Sequence, residues 1–89
     1  MGVEYKIETN DLSRTNLPEF LRKRTDFQRE EDGVLYLGTS PEQILFSVKK
    51  ELKHVYLCQY VASTETDALL GLLIRRILAS NDHIVISEL

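Results

Sequence analysis

The chain has 89 residues, of which 43% are hydrophobic and 28% charged, and its formal net charge is −3. This composition predicts one folded domain over residues 1–89 and argues against disorder, and the negative charge gives no overall attraction to nucleic acid or anionic lipid. Because Cys58 is the only cysteine, an internal disulfide and a cysteine-rich zinc site are both excluded.

The distribution of apolar residues indicates where in the cell the protein is expected. The N-terminal residues include no apolar stretch of signal-peptide length. The longest apolar run, residues 68–74, is far shorter than the roughly 20 residues that a membrane-spanning helix needs. We therefore expect a soluble protein in a reducing, cytoplasmic setting, with no membrane partner.

The first two elements are a strand and a short helix. Apolar and charged residues alternate over residues 3–8, which predicts a strand with one dry face and one wet face. Asn16 and Pro18 then indicate a helix start, because asparagine caps helices and proline is tolerated in the first turn. We expect this helix to end near Arg24.

A β-hairpin follows this helix. Asp32-Gly33 is the strongest turn signal in the chain, because both residues adopt the positive φ angles of a two-residue hairpin turn at little cost. The flanking residues 27–30 and 34–37 are therefore predicted to be its two strands.

The next segment fits two kinds of structure. Ser40 followed by Pro41 and Gln43 matches a capping box, and the apolar residues beyond recur at helical spacing, which predicts a helix over residues 41–53. The alternative is a strand, because Phe46 and the residues two positions to either side of it are all apolar.

The last third contains a clear strand and a long helix. Residues 54–61 are rich in β-branched and aromatic residues, which predicts a strand. Ser63 or Thr64 is expected to cap a helix over residues 65–80, with acidic residues in the first turn where the helix dipole favours them. Asn81 is predicted to end this helix in the left-handed conformation.

A short apolar strand over residues 84–86, expected in the interior of the sheet, completes the order β-α-ββ-α-β-α-β. This alternation predicts an α/β fold, with α+β as the alternative, containing three helices and a mixed sheet of four or five strands. The last strands are expected to be parallel and joined by right-handed crossovers.

The sequence holds no assembled catalytic set. His54 and Cys58 have the spacing of two metal ligands on a helix, but on a strand they are about 13 Å apart. His83 beside Asp82 is best explained as a solvated turn residue. We therefore expect no catalytic residue, no metal site and no cofactor, and predict that the protein is not an enzyme.

Helix 65–80 carries more apolar surface than one narrow face can hold. Leu70, Gly71, Ile74 and Leu78 are the candidate interaction residues. Either the chain itself covers them, or they form the seam of a homodimer, because large uncovered apolar areas usually mark partner sites. The leading hypothesis is a non-enzymatic interaction or regulatory module whose partner is another protein or a second copy.

Two alternative functions rest on other residues. If residues 41–53 are helical, Phe46 projects among Lys49, Lys50 and Lys53, a surface suited to single-stranded nucleic acid. Against this, the acidic net charge denies the long-range attraction typical of such proteins, and lysine stems could simply cover the ring.

The second alternative is a small anionic ligand at two strand-to-helix turns. Their hydroxyl residues are Thr39, Ser40, Ser63 and Thr64, and helix N-termini present free N–H groups to anions. Against it, acidic residues occupy both first turns and would repel an anion, and helix capping alone explains the hydroxyls.

Overall fold

The computed structural model describes residues 2–10, 12, 15–51 and 53–89. These residues form a mixed α+β fold with one six-stranded antiparallel sheet and two helices. The elements are β1 (Val3–Glu8), α1 (Leu17–Arg22), β2 (Phe27–Glu31), β3 (Val34–Ser40), β4 (Gln43–Lys50), β5 (His54–Gln59), α2 (Thr64–Leu78) and β6 (Val85–Glu88).

The order of strands across the sheet is β2-β3-β4-β5-β1-β6, and every neighbouring pair is antiparallel. The prediction that the last strands form a parallel pair is therefore wrong. β5 and β6 do run in the same direction, as a crossover through α2 requires, but β1 lies between them and pairs antiparallel with both. The prediction placed the last strand directly beside β5, and the N-terminal strand takes that place instead.

Both helices pack on one face of the sheet. Alternate residues of the strands share a single buried cluster with apolar residues of α1 and α2, as the period-two pattern of a half-buried strand requires. The buried cluster contains Ile7, Leu12, Leu17, Leu21, Leu35, Leu37, Phe46, Val48, Val55, Leu57, Leu69, Leu73 and Ile77.

The predicted helix over residues 41–53 is wrong, because this segment forms β4. Pro41 and Glu42 make the two-residue turn of a β3–β4 hairpin rather than the first turn of a helix. Phe46 pairs with Leu37 on one side and with Gln59 on the other. The spacing of the apolar residues fits both the helical and the strand repeat. Pairing with β3 and β5 makes this segment a strand.

The hairpin at Asp32-Gly33 is confirmed. The φ angles of these residues are 52° and 80°, and both flanking strands run longer than predicted. α1 begins after Asn16 as predicted, but it ends at Arg22, and the Asn16 side chain makes no capping hydrogen bond.

α2 begins with the predicted serine cap. The Ser63 hydroxyl accepts a hydrogen bond from the Thr66 backbone N–H, and the Thr66 hydroxyl accepts one from the Ser63 N–H. Gln59 of β5 also donates to the Thr66 hydroxyl at 2.7 Å, so the cap is tied to the sheet.

The predicted left-handed end of α2 is not formed. Asn16 and Asp32 are the only non-glycine residues with positive φ in the described part of the chain. Asn81 instead caps the helix with its side chain, whose Nδ2 donates to the Ile77 carbonyl at 2.9 Å. Neither α1 nor α2 is long and apolar enough to cross a membrane.

β6 was predicted to lie in the interior of the sheet, and this is also wrong. It is an edge strand that, among the described strands, pairs with β1 alone, and all four of its residues are exposed. An apolar composition by itself does not distinguish a central strand from an exposed edge.

Candidate interaction surfaces

No described helix covers the second face of the sheet, which we call the open face. The strand register places Tyr36, Ser47, Cys58 and Glu4 in one row across β3, β4, β5 and β1. Together with Tyr56 and Tyr60, these residues line a hollow of about 250 Å³.

The cations of the open face are paired with carboxylates. Three strands that run in the same direction each carry a cation, and a glutamate follows two residues later, which for β4 is Glu51 just after the strand. The N–O distances are 2.9 Å for Lys6–Glu8, 2.7 Å for Arg29–Glu31 and 3.5 Å for Lys49–Glu51. Their charges cancel within the face, so the surface lacks the excess positive charge that phosphate backbones need.

Within the first of these pairs, the hydrogen bond between the two side chains raises the pKa of Lys6 and lowers the pKa of Glu8.

Elsewhere on the open face, the Arg29 guanidinium lies 4.5 Å from the centre of the Tyr36 ring. Tyrosine and arginine are enriched where proteins contact one another, whereas other charged residues are depleted there.

The thiol in the hollow is not activated. Burial raises the pKa of Cys58, although a hydrogen bond with Tyr60 acts in the opposite direction. Burial also raises the pKa of Tyr60, whose hydroxyl shares a 3.1 Å hydrogen bond with Ser47. A protonated thiol is a poor nucleophile, so burial works against covalent chemistry at Cys58.

A second surface lies where α2 approaches the β6 end of the sheet. α1 contacts β3 and forms an ion pair with β2, and Arg76 points toward α1: it donates to the Thr15 carbonyl and stacks on Phe20. At about 100° of rotation per residue, Ile74 and Leu78 lie on the opposite side of α2. They therefore face the β6 end.

The strand β6 extends this apolar surface. Ile86 pairs with Ile7 of the core, so its side chain lies on the helix-covered face, yet it is 43% exposed. Leu78 is 42% exposed, and Ile74 is only partly buried against the core. We call Ile74, Leu78 and Ile86 the edge surface.

The two edges of the sheet differ in how well they are protected against pairing with other strands. The outer edge of β2 carries three consecutive charged residues, Arg29, Glu30 and Glu31, and a register shift after Phe27. Charges and bulges are common ways of preventing unwanted strand pairing. β6 has no bulge and carries one charged residue, Glu88, beside the exposed Val85 and Ile86, so it is less protected than β2.

Of the candidate interaction residues on α2, Leu70 and Ile74 pack partly against the core, whereas Gly71 and Leu78 are exposed. A Cβ atom built on Gly71 would have no neighbour within 4 Å among the residues that the structure describes. The four residues thus lie on one side of the helix at different depths.

The proposed nucleic-acid surface is not assembled. Phe46 is 0% exposed, in the core, because strand alternation turns it toward the helices. Lys50 shares that face of β4, Lys49 lies on the open face, and Lys53 follows the strand. The predicted cluster of Phe46 with the three lysines required a helix over residues 41–53, and this segment contains β4 instead.

The four anion-site hydroxyls are also distributed differently. Thr39 and Ser40 precede a hairpin turn rather than a helix, while Ser63 is used in the cap of α2 and Thr64 is exposed.

The structure nevertheless brings the two turns close together. A cavity of about 230 Å³ is lined by Thr39, near the end of β3, and by Glu65 and Thr66 from the first turn of α2. Asp26 lines it as well, and the two carboxylates would repel an anion.

Sequence reasoning missed both the tyrosines of the open face and the free edge of β6. Tyr56, Cys58 and Tyr60 alternate with the buried residues of β5, and this period-two spacing could have placed them on one face. The position of β6 at an edge has no comparable signal in the sequence.

In the part of the chain that the structure describes, no group of three histidine, cysteine or acidic residues could hold a metal ion. Comparison with known proteins adds no further information, because no family model, curated protein or solved structure matches this chain.

Proposed function

We propose that the protein is a non-enzymatic interaction module that self-associates through the edge surface. The observation that supports this most directly is that apolar residues of α2 and β6 are exposed at the same end of the sheet. The proposed contact surface includes residues of α2, the helix that the sequence analysis identified, together with Ile86 of β6.

Burial of the edge surface supplies part of the free energy that a dimer needs. Full burial of a leucine or isoleucine side chain contributes about 1.5–3 kcal/mol, and Leu78 and Ile86 are each less than half exposed, so each contributes only part of this. In a two-fold dimer, however, every contact is made twice. A dimer of moderate affinity is therefore expected, whose population rises with protein concentration.

Sedimentation velocity over a range of concentrations tests the proposal. The unmodified chain should shift from monomer to dimer as its concentration rises. Leu78→Glu should remain monomeric, because it would bury two charges at the seam. Leu72→Glu is the matched control: Leu72 is 43% exposed, against 42% for Leu78, but faces the α1 side.

Two results would contradict this function. One is an unmodified chain that stays monomeric up to its solubility limit. The other is equal dimerisation of the Leu72→Glu and Leu78→Glu variants, since the edge surface would then have no part in the contact.

The two alternatives from the sequence have less support. Single-stranded nucleic acid would need Phe46 and the three lysines on one surface, and they lie in different places. A small anion at the Thr39 turn would meet the carboxylates of Asp26 and Glu65.

A further inference from the structure

We infer that two copies pair through the outer edge of β6, in antiparallel orientation, so that their sheets join into one continuous sheet. This inference rests on the proposed self-association and specifies how it occurs. The edge surface would then lie beside the seam on the helix-covered side.

The direction of the backbone groups of β6 follows from one hydrogen bond. The Leu89 N–H donates to the Glu4 carbonyl at 2.8 Å, so it points toward β1. Amide directions alternate along a strand, so Val85 and Ser87 also point toward β1. The N–H and C=O groups of Ile86 and Glu88 therefore point away from the sheet.

These outward groups define the chemistry of the partner. No described strand lies beyond β6, and both Ile86 and Glu88 are exposed. Alternating free donors and acceptors along an extended strand are matched by another extended strand.

A second copy satisfies this requirement better than the opposite edge of the sheet does. Pairing of β6 with β2 would have to overcome the charges and the register shift of β2, and would grow into an open filament. Pairing of β6 with β6 closes after two copies. An antiparallel pair related by a two-fold axis keeps both α2 helices on the same side of the joined sheet, where Leu78 of each copy faces the seam.

Proline at position 88 tests the pairing. Glu88→Pro removes an outward N–H without affecting the bonds to β1, and proline is tolerated at a strand edge. Glu88→Ala is the control, since it removes the same side chain and keeps the N–H. We expect the proline variant to raise the dimer dissociation constant roughly tenfold or more, because each dimer loses two hydrogen bonds, and the alanine variant to leave it nearly unchanged.

Amide hydrogen exchange of the unmodified chain gives a readout that needs no substitution. The amides of Ile86 and Glu88 should exchange more slowly as the dimer forms, while the amide of Val3, on a strand that is already paired, should not change. Circular dichroism of Glu88→Pro confirms that the variant still folds.

The outcomes separate this inference from the proposed function. If the chain dimerises but Glu88→Pro dimerises equally well, and the two amides stay unprotected, strand pairing is wrong while self-association stands. If the unmodified chain does not dimerise, both are wrong.

Discussion

Two glycines show how differently one residue type is used in this chain. A Cβ atom at Gly38 would lie 2.0 Å from the carbonyl oxygen of Gln43, on the neighbouring strand of a hairpin whose register shifts at this point. Gly71 is exposed in the middle of α2, with open space around the corresponding position. Only the first position needs a residue without a side chain to maintain the fold.

The same substitution at these two glycines should therefore act in opposite directions. Gly38→Ala should lower the free energy of unfolding by about 1–3 kcal/mol, because two backbones must separate. Gly71→Ala should raise it by about 0.5–1 kcal/mol, because alanine is the better helix former. Urea denaturation at one fixed protein concentration measures both.

Gly71→Ala also tests how far the dimer contact extends along α2. Gly71 lies on nearly the same side of α2 as Leu78, but about two turns before it, so the alanine variant should still dimerise. Loss of the dimer in this variant would extend the seam along α2 as far as Gly71.

At the scale of single residues, the turn and the helix cap were predictable from sequence. Asp32-Gly33 forms its turn because of its own backbone preferences, and Ser63 bonds to a backbone group three positions away. Such interactions are local and depend little on the rest of the chain.

Among the elements, β4 shows where local patterns fail. Its apolar residues fit a helical repeat and a strand repeat equally well, and the residues before it fit a helix cap as well as a hairpin turn. Pairing with β3 and β5 decides between them. The consequence reaches the candidate site, because the exposed Phe46 of the predicted helix becomes a core residue.

Phe46→Ala gives a direct energetic test of this element. A buried phenylalanine in a sheet should cost about 3–5 kcal/mol when truncated, whereas a phenylalanine exposed on a helix would cost little. Lys49→Ala is the control on the same strand, and a change of less than about 0.5 kcal/mol is expected there. Equal, small effects in the two variants would contradict the strand assignment.

For the whole molecule, self-association links stability to concentration. A dimer that forms only from folded chains stabilises the fold more as its concentration rises. The melting temperature of the unmodified chain should therefore increase with total concentration, while that of Leu78→Glu should remain constant. Differential scanning calorimetry at several concentrations makes this comparison, and a constant value for both would argue against the dimer.

The sequence alone determined those features that depend on neighbours along the chain: the first strand, the hairpin turn, the serine cap and the long apolar helix. Only the tertiary structure decided that residues 43–50 form a strand, that β1 lies between β5 and β6, and that β6 is therefore an edge. The physical reason is that strand pairing joins residues far apart in the chain. Its hydrogen bonds are equally available to several partners until the sheet is assembled.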